Sequence, residues 1–475
     1  MIRITLLTLL IAYLSVYAWK DWFRGACWLV LLMAIFQHPD MPKSIAGIPG
    51  LNHWNFLFLN VIFAWLSNRK KEKITWEMPK HISILLFLYS FIIIVSVIRY
   101  LSDMSGVIEF INVYGGETPR VLPVINEYLV NCFKWALPGM IIFDGCRTKK
   151  QYDFALIMLL LMYFLLGLQV IKAMKLGSLG ISGEGLQRKA LKVLTKNVGF
   201  HRVNLSMMLS GAFWLIFCTK EYLNKKQFWL YILPGCTVTF LAMALTGGRT
   251  GYATWAILGA VFCLFKWRRY LLLVPFLLIG ILAFAPSMVE RFTQGILEEE
   301  SSSLDNSDIS FESNELDAES ITSGRVIAWP LVWKSIKMAP YFGYGRQAMM
   351  NIGLTLKIMR DYQGESFPHP HNLYLQWLQD NGIIGALPVF VFYILVIKYS
   401  WSLFKDKRNN IYIVTGGGCL ALVAAFLIAG FGSQNFYPRE GAVGMWVMMG
   451  LMLRVRIERE KYNSNKKTEL IINPQ

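Results

Sequence analysis

Long apolar stretches separated by short polar breaks dominate this chain. SILLFLYSFIIIVSVI (83–98), FALIMLLLMYFLLGLQVI (154–171) and YLLLVPFLLIGILAFA (270–285) contain no charged residue. A helix needs roughly 17–25 apolar residues to cross about 30 Å of hydrocarbon. Where no water reaches the backbone, each N–H and C=O must be bonded within the segment, so these stretches are expected to be helices. The pattern places spans near 3–18, 25–37, 54–66, 81–99, 124–145, 154–174, 200–218, 228–246, 252–266, 269–285, 381–399, 411–430 and 441–454. Several are short, so the count is 12 or 13, and the fold class is an all-α, polytopic transmembrane helical bundle. The first stretch, ITLLTLLIAYLSVYAW, lacks a small-residue cleavage site and is expected to stay as a helix.

Composition agrees with a membrane class. Of 475 residues, 55% are hydrophobic and 16% charged, and mean hydropathy is +0.43; a soluble domain carries about a quarter charged residues. The net charge of +17 does not point to nucleic acid, because the cations sit mostly at helix ends. NRKKEK (68–73), CRTKKQ (146–151), KWRR (266–269), FKDKR (404–408) and RVRIEREK (454–461) fall on one side under the span alternation. By the positive-inside rule that side is cytoplasmic. One outer loop departs from the rule. Segment 172–202 carries Lys172, Lys175, Arg188, Lys189, Lys192, Lys196 and Arg202 against Glu184 alone. Either a span is miscounted there, or a positive outer surface is kept to meet an anion. Seven cysteines are scattered singly, which suits core filling better than disulfides or metal.

The chain divides into an N-terminal bundle (1–286), a long outer loop (287–380), C-terminal helices (381–454) and a tail (455–475). The loop opens with LEEESSSLDNSDISFESNELDAES (297–320), nine acids and no basic residue, expected as a weakly ordered surface insert. ITSGRVIAWPLVWKSIKMAP (321–340) then turns helical. Thr322 and Ser323 are candidate caps, and Val326, Trp329, Trp333 and Ile336 form a Trp-bearing face suited to a membrane interface. Pro330 is expected to kink this helix or mark its first turn. PYFGYGR (340–346) reads as a glycine-built turn.

Three outer positions carry candidate chemistry. Arg249 in LTGGRTGY sits where one span ends and the next starts. An arginine there is ordinarily a snorkelling anchor, but a guanidinium fork beside two glycines and a helix N-terminus also suits phosphate oxygens. Arg325 opens the amphipathic helix, where a cation opposes the helix dipole. An unfavourable charge in a good cap invites another reason for its presence. His371 opens HNLYLQWLQDNGIIGALPVF, after two prolines that hold the chain extended. An interfacial histidine is ordinarily a hydrogen-bonded bystander; as an imidazole near neutral pH it can also take a proton. His369, Asp361 and Glu365 compete for that role, and His371 is favoured because it directly precedes the helix.

Together, LTGGRTGY, SGRVIAWPLVWKSIKMAPYFGYG and HPHNLYLQWLQDNGIIGALP resemble the O-antigen ligase family of bacterial membrane glycosyltransferases. Related O-antigen polymerases and exosortase-associated O-glycosylation ligases share the pattern. The resemblance implies a GT-C-like bundle in the bacterial inner membrane with its active site on the periplasmic face. It implies transfer of a glycan from undecaprenyl diphosphate to an acceptor hydroxyl, on a lipid or a protein, with inversion at the anomeric carbon. By motif, Arg249 and Arg325 match the diphosphate-binding arginines and His371 the catalytic histidine, with His369, Asn372, Arg188 and Arg202 as supporting candidates. The chain departs from the family in having Gly-Gly before Arg249 and in its acidic insert. No cofactor or metal is called for, since the outer loops hold no DxD-like or His-rich cluster. The nearest rival is a polymerase using another lipid-linked glycan as acceptor. A transporter, a distant rival, would need ionisable residues deep within the spans.

Overall fold

The computed structural model describes residues 2–45, 50–116, 118–293, 325–361, 367–432 and 435–472. It is helical, and among the described residues no β-strand forms. Each predicted span falls on a helix. Six helices are long and apolar enough to cross a membrane: Lys80–Ser102, Lys149–Met174, Arg202–Glu221, Lys225–Leu245, Leu373–Lys405 and Asn410–Ala429. The protein is therefore a multi-pass membrane protein. Shorter helices such as Trp22–Phe36 and Val274–Phe284 fill the predicted spans between them.

Lys80–Ser102 shows how the bundle meets lipid. Ile84, Phe87, Phe91, Ile94 and Ile98 are exposed at steps of three and four, while Ile82, Tyr89, Ile93, Val97 and Tyr100 are buried. A continuous apolar stripe facing outward is a liability in water and a requirement in hydrocarbon. Inside the bundle, small residues let helices close. Helices Asn131–Gly145 and Val443–Ile472 meet at Gly139 and Gly450, where an added Cβ would lie 2.3 Å from the Trp446 carbonyl oxygen and 2.2 Å from that of Gly139.

The five basic segments converge on one end. Buried Asp144 receives Arg69 Nε at 2.5 Å, Arg147 Nη2 at 3.3 Å and the Trp65 indole at 2.9 Å. Glu77 takes Arg147 at 2.6 Å, Arg454 at 2.5 Å and Lys461 at 3.1 Å. Arg459 lies 3.5 Å from Asp406, and Lys266 Nζ donates to the Phe404 carbonyl at 3.4 Å. At the other end, Gly199 abuts Gln37, Gly247 abuts Gln187, and Ser287 Oγ donates to the Leu179 carbonyl.

Three expectations change. The outer segment 175–199, expected as a loop, holds helix Gly183–Asn197, capped by Ser182 and burying Leu186, Ala190 and Leu194; Lys192 and Lys196 are exposed, while Lys189 Nζ donates to Ser178 Oγ at 2.6 Å. Helix Arg325–Met338 passes through Pro330 without ending. It buries Ala328, Val332 and Ile336 against the bundle, while Trp333, on the face expected at the membrane interface, is 47% exposed. The short Ala and Val side chains let this helix close on its neighbours, together with Met349, Leu354, Ile358 and Phe367. Thr322, Ser323 and the acidic insert lie outside the described residues. Finally, the expected tail is continuous with the last helix, which runs Val443–Ile472.

One break positions the rest. Leu373–Lys405 is interrupted at Gly382, whose φ of 63° and ψ of −171° lie outside helical geometry. In an unbroken helix Ile383 and Ile384 would donate to Gln379 and Asp380. Instead Ile383 N donates to the Pro340 carbonyl (2.8 Å) and Ile384 N to that of Tyr341 (3.1 Å). The released carbonyls of Gln379 and Asp380 accept from Tyr344 N (2.9 Å) and Gly345 N (2.7 Å). The PYFGYG turn thus replaces two helical bonds with four, so no main-chain group is orphaned at the break. Arg99 holds the turn from outside, donating to the carbonyls of Phe342 (2.5 Å) and Gly343 (2.7 Å).

Candidate active site

The break holds the first turns of Leu373–Lys405 in place, and the HPH motif leads into them. Asn372 caps the helix: its Oδ1 accepts from Tyr374 N (3.0 Å) and Leu375 N (3.1 Å). It is 5% exposed, so its contribution is to fix the start of the helix. His371, one residue earlier, adopts a left-handed backbone with φ of 51°, which histidine tolerates better than most residues. The His369 and His371 rings lie 4.2 Å apart, with Phe367 edge-on to His371 at 6.3 Å. Trp329 Nε1 donates to the Pro370 carbonyl at 2.8 Å, tying helix Arg325–Met338 to the motif. Burial, His371, Arg439 and Arg346 push the His369 imidazole down to about 3 from its ordinary 6.5. His369 is therefore neutral at working pH, and a second charge so close to it is disfavoured.

Arg249 begins helix Arg249–Phe265. The glycines before it also have a packing role. Gly247 has a φ of 63°, and a Cβ on Gly248 would lie 2.5 Å from Ser206 Oγ. Gly248 thus lets a neighbouring helix come close. Arg202 Nη1 donates to the Gly247 carbonyl at 3.1 Å, and its charge and that of Arg249 are near enough to repel. Two guanidinium groups in mutual repulsion favour an anion between or beside them.

One turn connects the two motifs. Leu373 N donates to the Gly430 carbonyl at 2.7 Å, and a Cβ on Gly432 would meet Thr250 Oγ1 at 2.9 Å. The first turns of the His371-led helix and of the Arg249 helix therefore both abut residues 430–432. Arg325 starts a helix tied to Pro370, but its side chain lies outside the described residues, as does Glu365. Arg188 is not drawn in: it is exposed and pairs with Glu184 on its own helix. Asp361 ends helix Leu354–Asp361 and is exposed.

Sequence reading missed Arg346. It is 2% exposed, with its guanidinium carbon 3.5 Å from the Tyr437 ring centre and 4.9 Å from that of Tyr128. Its nearest acid, Asp380, stands at 3.9 Å and is engaged by Tyr437 Oη (3.0 Å) and Ala348 N (3.1 Å). Nε and Nη1 of Arg346 have no hydrogen-bond partner within the protein. A buried guanidinium with unused donors is costly unless a ligand or water completes it. The GYGR glycines hinted at a docking turn, but tyrosines at 128 and 437 have no local signature.

This end of the bundle combines clustered guanidinium groups with adjacent imidazoles, one of them held neutral. That set can bind a polyanion and exchange a proton beside it. Residues 234–390 match the family model described as O-Antigen ligase. The matched stretch contains all three motifs, so the similarity to that family inferred from them holds. No curated protein shows significant similarity to the chain.

Proposed function

We propose, from the likeness of residues 234–390 to the O-antigen ligase family, that this membrane protein is a glycosyltransferase. It moves a glycan from undecaprenyl diphosphate to an acceptor hydroxyl at the outer face of the bacterial inner membrane. The observation that carries the reading is the shared seat of the Arg249 and His371 helix starts on residues 430–432.

In the reaction the acceptor oxygen bonds to the anomeric carbon while the bond from that carbon to the diphosphate oxygen breaks. Charge gathers on the departing diphosphate. Arg249 and Arg325 neutralise it, with Arg202 beside Arg249, and such fixed cations act strongly in a partly dry site. His371 takes the acceptor proton. Attack opposite the leaving group inverts the anomeric centre. Arg346 is the additional cation, placed to fix Asp380 and Tyr437 behind the histidines.

Deleting the gene and identifying what accumulates tests the reading. Long glycans left on undecaprenyl diphosphate, restored to an acceptor by the wild-type gene but not by Arg249→Ala, support a ligase. Single repeat units on the finished acceptor would turn the assignment to a polymerase. Unaltered glycans would remove the enzyme reading.

A further inference from the structure

Two cavities flank His38 at the same end of the bundle as the candidate active site. One, of about 230 Å³, is lined by His38, Lys43, Asn52, Asn55 and Lys134 among others. The other, of about 450 Å³, is lined by His38, Gln169, Lys172 and Asn197 with two apolar residues. The larger lies within the roughly 300–1,000 Å³ that small-ligand sites occupy, and the smaller just below it. We propose that the paired cavities form a subsite for an anionic sugar unit, one carrying a carboxylate or a phosphate. This deepens the glycan-transfer reading and rests on it for the ligand being a saccharide.

Two buried amide oxygens speak for hydroxyl groups. Asn55 Nδ2 donates to the Gly50 carbonyl and Gln169 Nε2 to that of Ala34 at 2.6 Å. Those bonds fix which way each amide points, because only the NH₂ end can donate. Asn55 Oδ1 and Gln169 Oε1 are then left buried with no donor. Sugar hydroxyls supply such donors. Charge speaks for an anion: Lys43, Lys134 and Lys172 line the cavities, and no carboxylate does among the described residues. Acids stand nearby without lining the cavities. Asp40 faces His38 at 3.5 Å, and Glu127 and Glu440 attract Lys134.

Two chains of neighbouring residues link the cavities to the reaction centre. Gln37 abuts Gly199, three residues before Arg202, which holds the turn preceding Arg249. Glu440 attracts Lys134, and its neighbour Arg439 acts on His369. A glycan reaching from the histidines could therefore rest its next unit here. That unit belongs to the donor chain or to the acceptor, and the chemistry of recognition is common to both.

Saturation-transfer NMR on the full-length protein in nanodiscs, with glucuronic acid, glucose 1-phosphate and glucose as probes, tests the assignment. Saturable binding of the two anionic probes, about tenfold tighter than glucose, is expected; tenfold corresponds to ~1.4 kcal/mol. Asn55→Leu and Gln169→Leu should each weaken that binding about tenfold. Lys172→Glu, at an exposed position that tolerates change, should do the same and serves if a buried variant fails to fold. Equal binding of all three probes, or binding unmoved by Lys172→Glu and by a folded amide variant, overturns the subsite. In transfer assays of the same variants, a raised KM for the donor assigns the unit to the donor chain, and a raised KM for the acceptor assigns it to the acceptor. Probe binding that persists in a protein without transfer activity would sink the enzyme reading alone.

Discussion

The two polar ends of the bundle bury charge on opposite terms. At the basic end, acids and cations interlock: Asp144 holds Arg69 and Arg147, and Glu77 holds Arg147, Arg454 and Lys461. At the other end, Arg346 keeps two donors unused beside an acid 3.9 Å away, Arg202 and Arg249 repel each other, and His369 is held neutral. Breaking a buried pair leaves an uncompensated charge, so the first arrangement acts as a clamp between helices. The second sets a more distant carboxylate, 3.9 Å away, against Arg346. Unused donors alone would not separate the two, because Arg454 Nη2, Arg456 Nη1 and Arg459 Nε at the basic end also lack partners; the close carboxylates there do.

The comparison yields four tests, in order of expected effect. His371→Ala should lower glycan transfer by about 10²–10⁴-fold, as loss of a positioned base does, while the protein stays folded in the membrane. Near-wild-type transfer by that variant would falsify the assignment. Asp144→Ala should cost about 3–5 kcal/mol of stability by stranding Arg69, Arg147 and the Trp65 indole. Thermal unfolding in detergent reads that loss, and transfer per folded molecule should hold. Arg346→Met should reduce transfer about 10–100-fold, the worth of one or two hydrogen bonds to charge. Transfer is read per folded molecule, because removing Arg346 also leaves Asp380 buried without its cation and should lower the melting temperature. A fall in melting temperature with full transfer would move Arg346 to the clamp class.

The fourth test is one of pH. The folded His369 binds its proton only near pH 3, whereas the unfolded imidazole binds it near 6.5. Between those values the unfolded chain carries more protons, so this group lowers stability as pH falls from about 7 toward 3. His369→Gln should flatten that part of the profile of melting temperature against pH. An unchanged slope would show the imidazole to be better solvated than its packing indicates.

Much of this was legible in the chain. Apolar runs located the spans, and Lys and Arg in short breaks marked the end where Arg69, Arg147, Lys266 and Arg454 gather. LTGGRTGY and HPHN marked two helix starts that both meet residues 430–432. Local pattern failed where meaning depends on distant partners. Nothing near GYGR tells that Tyr128 and Tyr437 will enclose Arg346. Nothing near LTGG tells that Ser206 will press on Gly248. In Arg325–Met338 the Trp-bearing outward side was legible and the packed side was not. Periodicity marks which residues share a side, but the room left by the neighbouring helix decides whether Ala328 or Trp333 turns inward.

The splice at Gly382 also limits how a substrate can arrive. Four main-chain bonds stitch residues 340–345 to residues 379–384, and Cβ atoms on Gly343 or Gly382 would strike the opposite strand of the stitch at 2.5 Å and 2.3 Å. Peeling this segment off the bundle would expose all four pairs at once, at a cost of about 1–3 kcal/mol for each group left unpaired. It cannot swing like a hinged cover. Under the proposed function, a substrate would have to reach the first turns of the Leu373 helix past some other segment, with residues 340–345 held in place.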